Sequence, residues 1–172
     1  LSRAERTVAA VASRHEGDTR FRAAQVDASD AGAVAALARE VASWDAVAVL
    51  YFADSFGSMD GAEVGRVVDA LAAGWNGAIG VHTHNNKSLA VQNTLAAIAH
   101  GVSFLDATVT GMGRGAGNAE LEILLCELDA RGLKASRRDE LSALCVNGFQ
   151  PLKDQCGWGA SFFYHYSALH DI

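Results

Sequence analysis

The chain has 172 residues, half of them apolar and a fifth charged, with a formal net charge of −6. That length suits one domain with a sizeable core. The acidic balance argues against a nucleic-acid groove, which needs clustered Lys and Arg, and no apolar run reaches the roughly 18 residues of a membrane span.

Residues 1–15 read as a helix with no strand of its own ahead of it. Phe21 to Val26 is a strand candidate. In Ala31 to Ser43, Val34, Leu37, Ala38 and Val41 recur at helical spacing, and Asp30 is placed to cap that helix. Ala46 to Phe52 is nearly continuous apolar sequence, as expected of a parallel strand buried on both faces. Asp60 to Ala73 is helical again and Ala78 to His82 is a strand. Ser88 to His100 is a helix whose stripe is Leu89, Val91, Leu95 and Ile98. Val102 to Val109 is a strand and Ala119 to Ala130 a helix. Such alternation predicts βα units around a parallel sheet. A self-contained flavodoxin-like sheet is the runner-up, and a reversal of strand order would mark it.

Ligands in such folds sit at the carboxyl ends of strands. Three consecutive strand ends carry polar groups: Asp54-Ser55, then His82 and His84, then Gly111 to Asn118. His82 and His84 are two residues apart and so project to one side of a strand. Two imidazoles there can grip one divalent cation and leave its other positions to carboxylate, water or substrate. A hydrogen-bonded pair of core histidines is the plainer alternative. Asn85 and Asn86 follow directly and suit hydrogen bonding to ring nitrogens, which favours the metal.

Gly111 to Asn118 formally satisfies a dinucleotide-binding fingerprint with Ala116 in its third position. That fingerprint normally opens the first βα unit and is followed about twenty residues on by an acid ending a strand. Here the unit comes last, and Asp139 and Glu140 follow helical sequence. The glycines therefore read as letting backbone pass close to bound metal and substrate, with Asn118 offering a side-chain oxygen. Asp54 is a turn former or a binding group, and Ser55 is better placed to donate to a substrate carboxylate. Asp106 reads as structural, inward-facing or ion-paired. His15, His100, His165 and His170 read as bystanders. Cys126, Cys145 and Cys156 lack metal or redox spacing and fit reduced thiols, with a cytoplasmic setting expected. The aromatic run from Trp158 to Tyr166 reads as core packing or a subunit contact.

Phe52-Ala-Asp-Ser-Phe-Gly57, Gly80-Val-His-Thr-His-Asn-Asn86 and Gly111-Met-Gly-Arg-Gly-Ala-Gly-Asn118 together resemble, in order and spacing, the DRE-TIM metallolyase superfamily (the HMG-CoA lyase-like enzymes). Within it they are most similar to the 4-hydroxy-2-oxovalerate aldolase branch, as is the tail with Pro151-Leu-Lys153, Trp158-Gly159 and Tyr164. The resemblance spans residues 20–166. It implies an α/β fold, the TIM (β/α)8 barrel, with a partial barrel of about four βα units over residues 1–150 and the start of a C-terminal helical extension over 151–172. The implied activity is that of a divalent-metal aldolase, a carbon–carbon lyase using Mn²⁺ or Mg²⁺. It would cleave a 4-hydroxy-2-oxoacid to pyruvate and an aldehyde through a metal-stabilised enolate.

Position by position, His82 and His84 match the two metal-binding histidines, His82 lying also against substrate. Asn118 matches an asparagine of the metal shell in the lyase branch, and Ser55 a serine that contacts the substrate carboxylate. The loop cysteine of the CoA lyases has no counterpart between Gly111 and Asn118. The family's first strand carries an Arg-Asp signature supplying a third metal ligand, an enolate-stabilising Arg and a nearby base, and residues 1–20 hold no match to it. A complete barrel runs to about 250 residues, so the expectation is the second half of a longer enzyme, inactive alone. The partners implied are a small 2-oxoacid, a second copy of the chain and an aldehyde dehydrogenase, with no nucleic acid and no membrane. A Claisen-type acyltransferase of the isopropylmalate synthase kind and a non-catalytic partial-barrel module are the alternatives.

Overall fold

Thr7 and Val8 are β-branched residues, which favour extended backbone. The computed structural model describes residues 7–9, 25–44, 47–133, 138–170 and 172. In it β1 (Thr7–Ala9) pairs antiparallel with β2 (Gln25–Asp27), Val8 standing opposite Val26. The expected helix over residues 1–15 is thus corrected at Thr7–Ala9. The rest of that stretch, and residues 21–24 of the expected strand, lie outside the described residues.

Helix α1 (Ala31–Ala42) starts where expected, because the Asp30 side chain accepts a hydrogen bond from the Ala33 N–H at 3.0 Å. After β3 (Val49–Asp54), helix α2 (Gly61–Ala72) opens with a reciprocal cap. Glu63 N–H donates to Asp60 at 2.9 Å, and Asp60 N–H donates to the Glu63 carboxylate at 3.0 Å. Such a cap contributes about 1 kcal/mol. There follow β4 (Ala78–Thr83), α3 (Ala90–Ala99), β5 (Phe104–Leu105) and α4 (Leu121–Ala130). Strands β3, β4 and β5 form one parallel sheet in that order, with Tyr51, Gly80 and Phe104 in register across it. The order β3-β4-β5 runs without reversal, as in an arc of a (β/α)8 barrel, and no switch point of a flavodoxin-like sheet falls among the described residues. The parallel sheet holds three of the four expected strands, since β2 pairs with β1 instead.

Alternation along the strands sorts the side chains onto two faces. Phe52, Ile79 and Val81 turn toward the helices and are buried with Val34, Val64, Val68 and Leu71. The opposite face carries Tyr51, Ala53, Gly80, His82 and Phe104. Tyr51 and Phe104 remain 44% and 46% exposed there, while Phe52 and Val81 are 2% and 0% exposed. The Tyr51 ring lies across Gly80, where a side chain's first carbon would stand 2.5 Å from the ring.

Two boundaries differ from the sequence expectation. Helix α3 begins at Ala90 and not Ser88, because Ser88 adopts φ 58° and the Asn85 side chain accepts the Ala90 N–H at 3.1 Å. The expected strand from Val102 to Val109 keeps its pairing with β4 only from Ser103, bonded to Ile79 O, to Asp106, bonded to Val81 O, each at 3.0 Å. Thr108 then switches partner to Ala119 O, and a 3-10 turn follows at Val109–Gly111. Farther on, α5 (Arg138–Leu144) runs through a π turn (Cys145–Phe149) into α6 (Gln150–Cys156), which stops at Gly157 with φ 74°. Helix α7 (Phe162–His170) comes last. The aromatic run divides: Trp158 is buried, whereas Phe162 and Phe163 are exposed. Among the described residues no helix is long and apolar enough to cross a membrane.

Candidate metal centre

The three strand-end loops meet. Lys87 N–H donates to Gly57 O at 3.1 Å and its ammonium to Ser58 O at 2.9 Å, joining the second loop to the first. Gly57, at φ 57°, lets Asn86 approach so closely that a side chain there would stand 2.6 Å from Asn86 Oδ1. Asn85 N–H donates to Gly117 O at 2.9 Å, joining the second loop to the third. His84 and Asn118 face each other as an isolated antiparallel bridge.

His82 ends the open face of β4, and its ring stands edge-on to that of His84 with centroids 4.8 Å apart. His84 Nδ1 lies 2.8 Å from the Asp54 carbonyl. A carbonyl only accepts, so Nδ1 carries the proton and the lone pair of the neutral ring sits on Nε2. His82 Nδ1 faces the Asp106 carboxylate at 3.3 Å. Tyr51 OH donates to the other oxygen of Asp106 at 3.2 Å. Burial, the Asp106 charge and this hydrogen bond all push the Tyr51 hydroxyl up, which keeps it a donor. His84 is therefore oriented through Nδ1, with Nε2 as its acceptor, and the Asp106 carboxylate faces Nδ1 of His82, the kind of outer support that metal-binding histidines have. Asn118, opposite His84, donates its Nδ2 to Met112 O at 3.0 Å, which leaves Oδ1 as the acceptor of its amide. These residues fit a divalent cation as two imidazoles and an amide oxygen. Among the described residues no group of three or more His, Cys, Asp or Glu is placed to hold one.

Asp106, read from sequence as structural or ion-paired, pairs with His82, and Tyr51, which sequence reasoning passed over, bonds to the same carboxylate. Asp106 follows β5 and bonds to Val81 O, one residue before His82 in the neighbouring strand. Equal distance from the starts of adjacent parallel strands was the available signal. Asn85 and Asn86 do not orient the rings: Asn85 caps α3 and Asn86 packs on Gly57. Ser55 is exposed in the turn after β3 and borders a hollow of about 430 Å³ along that strand, lined mainly by apolar residues such as Val26, Leu37, Val41 and Leu50. Its neighbour Asp54 supplies the carbonyl that orients His84. The three cysteines are free, and burial with the nearby Glu122 carboxylate holds the Cys145 thiol up, in its protonated form.

The Asp54 carboxylate, 2% exposed, turns away from the mouth and accepts from Ser58 N–H and Met59 N–H, each at 3.3 Å. It is a turn former. Burial lifts its pKa above the ordinary 3.8, against the opposing pull of the Met59 and Ser58 amides and of His84. With the folded value above the unfolded one, the native state holds this proton more tightly. The charge thus begins to cost stability as pH rises past 3.8 and costs most above the raised value. In the full chain, Asp54→Asn should gain stability relative to the unaltered protein between pH 4 and pH 7, read as the difference in urea midpoints. A difference independent of pH would contradict this account.

A family model described as HMGL-like matches residues 1–145. The chain is 48% identical to 4-hydroxy-2-oxovalerate aldolase of Thermus thermophilus over 86 residues, 49% of this chain and 25% of that one. It is 42% identical to oxaloacetate decarboxylase of Mycobacterium tuberculosis over 86 residues, 50% of this chain and 26% of that one. It thus spans about a quarter of the length of these curated relatives. Among solved structures, the N-terminal domain of a candidate aldolase from Bacteroides vulgatus superposes with TM-score 0.73 at 31% identity, covering 82% of this chain and 46% of that one. HMG-CoA lyase of Brucella melitensis superposes with TM-score 0.63 at 22% identity, covering 72% of this chain and 46% of that one, a likeness of fold. A family match across most of the chain, including all three strand-end loops, makes this protein a member of the HMGL-like family.

Proposed function

We propose that the chain carries the metal-binding side of a lyase that cleaves a 4-hydroxy-2-oxoacid to pyruvate and an aldehyde. The observation that supports this reading is the histidine pair, with ring centroids 4.8 Å apart and each Nδ1 facing an oxygen atom. The identity to a 4-hydroxy-2-oxovalerate aldolase supports the substrate class. His82, His84 and Asn118 would hold the cation, Mn²⁺ or Mg²⁺. Bound there, it would supply Lewis-acid stabilisation of the enolate left by carbon–carbon cleavage. Asp106 and Asp54 keep the rings in the ligating tautomer, and Ser55 donates to the substrate carboxylate. Two imidazoles and an amide are neutral, whereas hard dications favour anionic oxygen. The family resemblance implies that an anionic ligand, the base and an enolate-stabilising Arg come from a strand outside the described residues. A 2-oxoacid substrate, a cytoplasmic setting, assembly with a second copy and an aldehyde dehydrogenase partner belong to the same proposal.

Oxaloacetate decarboxylation is the second reading, favoured by the 42% identity to such an enzyme. Losing carbon dioxide from oxaloacetate leaves the same pyruvate enolate, so the residues named above serve either reaction. The test gives the full-length protein Mn²⁺ with 4-hydroxy-2-oxovalerate or with oxaloacetate and follows pyruvate. Acetaldehyde released in step with pyruvate from the first substrate is expected. Pyruvate from oxaloacetate alone would establish the decarboxylase, and acetyl-CoA consumption with a 2-oxoacid would establish a Claisen enzyme.

A further inference from the structure

Four glycines in eight residues leave the loop Gly111 to Asn118 poorly able to order itself, since glycine loses the most backbone freedom on folding. Just ahead of it Thr110 stands at φ 53°, ψ 24°, a left-handed conformation costly for a β-branched residue. Its backbone is held on both sides. The N–H donates to Glu122 Oε2 at 2.9 Å, and the carbonyl accepts from Trp158 Nε1 at 3.0 Å and Lys153 Nζ at 3.3 Å. Lys153 also lies 3.9 Å from Glu120 Oε1. Gly159 N–H donates to Gly115 O at 3.0 Å. The Tyr164 ring lies 3.4 Å from where a side chain on Gly115 would begin, and the Trp158 ring 3.6 Å from the same point on Gly117. On its other side the loop bonds to the histidine strand, through Asn85 N–H to Gly117 O and Ala119 N–H to Thr83 O.

We propose that residues 153–164 are a strap that holds the glycine loop in the backbone geometry presenting Asn118 to the histidine pair. Trp158 and Lys153 are positioning residues acting through the Thr110 carbonyl. Asn118's part in this rests on the cation reading given above. Trp158 is the buried residue of this segment, and its indole nitrogen is spent on the loop and not on its own helices. The strained Thr110 persists because the surrounding bonds hold it.

The test uses the full-length chain with Trp158→Phe, which keeps an aromatic ring but removes the N–H with the five-membered ring, and Lys153→Met, which keeps the stem and removes the charge. Amide hydrogen exchange at Gly117 and Asn118 should rise about three- to tenfold in each, the worth of one lost hydrogen bond, with α2 amides unchanged. Co²⁺ affinity, followed by its visible absorption, should fall by a similar factor, and His84→Ala should abolish Co²⁺ binding. Unchanged loop exchange in both variants overturns the strap. Raised exchange with unchanged Co²⁺ affinity, where His84→Ala abolishes binding, overturns the positioning role and leaves the cation reading intact. Co²⁺ binding undiminished by His84→Ala sinks the cation reading, and the presentation of Asn118 falls with it.

Discussion

Replacing His84 with alanine is expected to lower divalent-cation affinity by more than about a hundredfold and to bring turnover of the full-length protein to background. Loss of an outer hydrogen-bond partner of a ligating histidine costs about 10–100-fold in affinity, so loss of the ligand itself costs more. The ring is half-buried, its Nδ1 is bonded to the Asp54 carbonyl, and Asn118 stands opposite. His82→Ala should behave alike, while Asp106→Ala, which leaves both rings in place, should cost about tenfold. Calorimetric titration with Mn²⁺ orders the three, and an unaltered urea midpoint for each separates lost ligation from lost fold. Mn²⁺-stimulated cleavage persisting in either histidine variant would remove the pair from the mechanism.

Gly117→Ala should be the most damaging change in the glycine loop. At φ 78° the position already favours glycine, and a methyl group would stand 2.2 Å from the Gly111 carbonyl oxygen. Both obstacles are backbone, so no rotamer relieves them. Left-handed backbone costs alanine about 1–2 kcal/mol, and overpacking adds about 1–3 kcal/mol. A loss of about 2–5 kcal/mol in urea unfolding is expected, with weakened Co²⁺ binding because Asn118 is the next residue. An unchanged midpoint would mean that the loop does not close through Gly111 and Gly117.

The parts that could be read from sequence are those whose physics is local. Asp30 caps the helix that begins at Ala31, its carboxylate accepting from the Ala33 N–H three residues on, and the helix expected from Asp60 begins at Gly61. His82 and His84 share a direction because strand geometry puts alternate residues on one side, and their loop does meet those of its neighbours. Asp106 could be expected to pair, but its partner was hidden because it lies in register. Only when β5 pairs with β4 does an unremarkable Phe-Leu-Asp place a carboxylate against His82. The pairing of β2 with β1 was hidden for the same reason, being settled between segments distant in sequence. Asn85 misled in the opposite way. It adjoins the histidines in sequence, yet its oxygen is taken by the start of α3.

The contact between Tyr51 and Gly80 ties two positions on neighbouring strands into one unit of volume. The ring occupies the space that any side chain at 80 would need, and its hydroxyl reaches Asp106 only because that space is empty. Enlarging position 80 therefore evicts the ring and removes a hydrogen bond from the carboxylate beside His82. Shrinking position 51 instead frees the space and loses the same bond. The two residues are thus coupled, so a relative with a bulkier residue at 80 must hold the carboxylate beside its histidine by some other group.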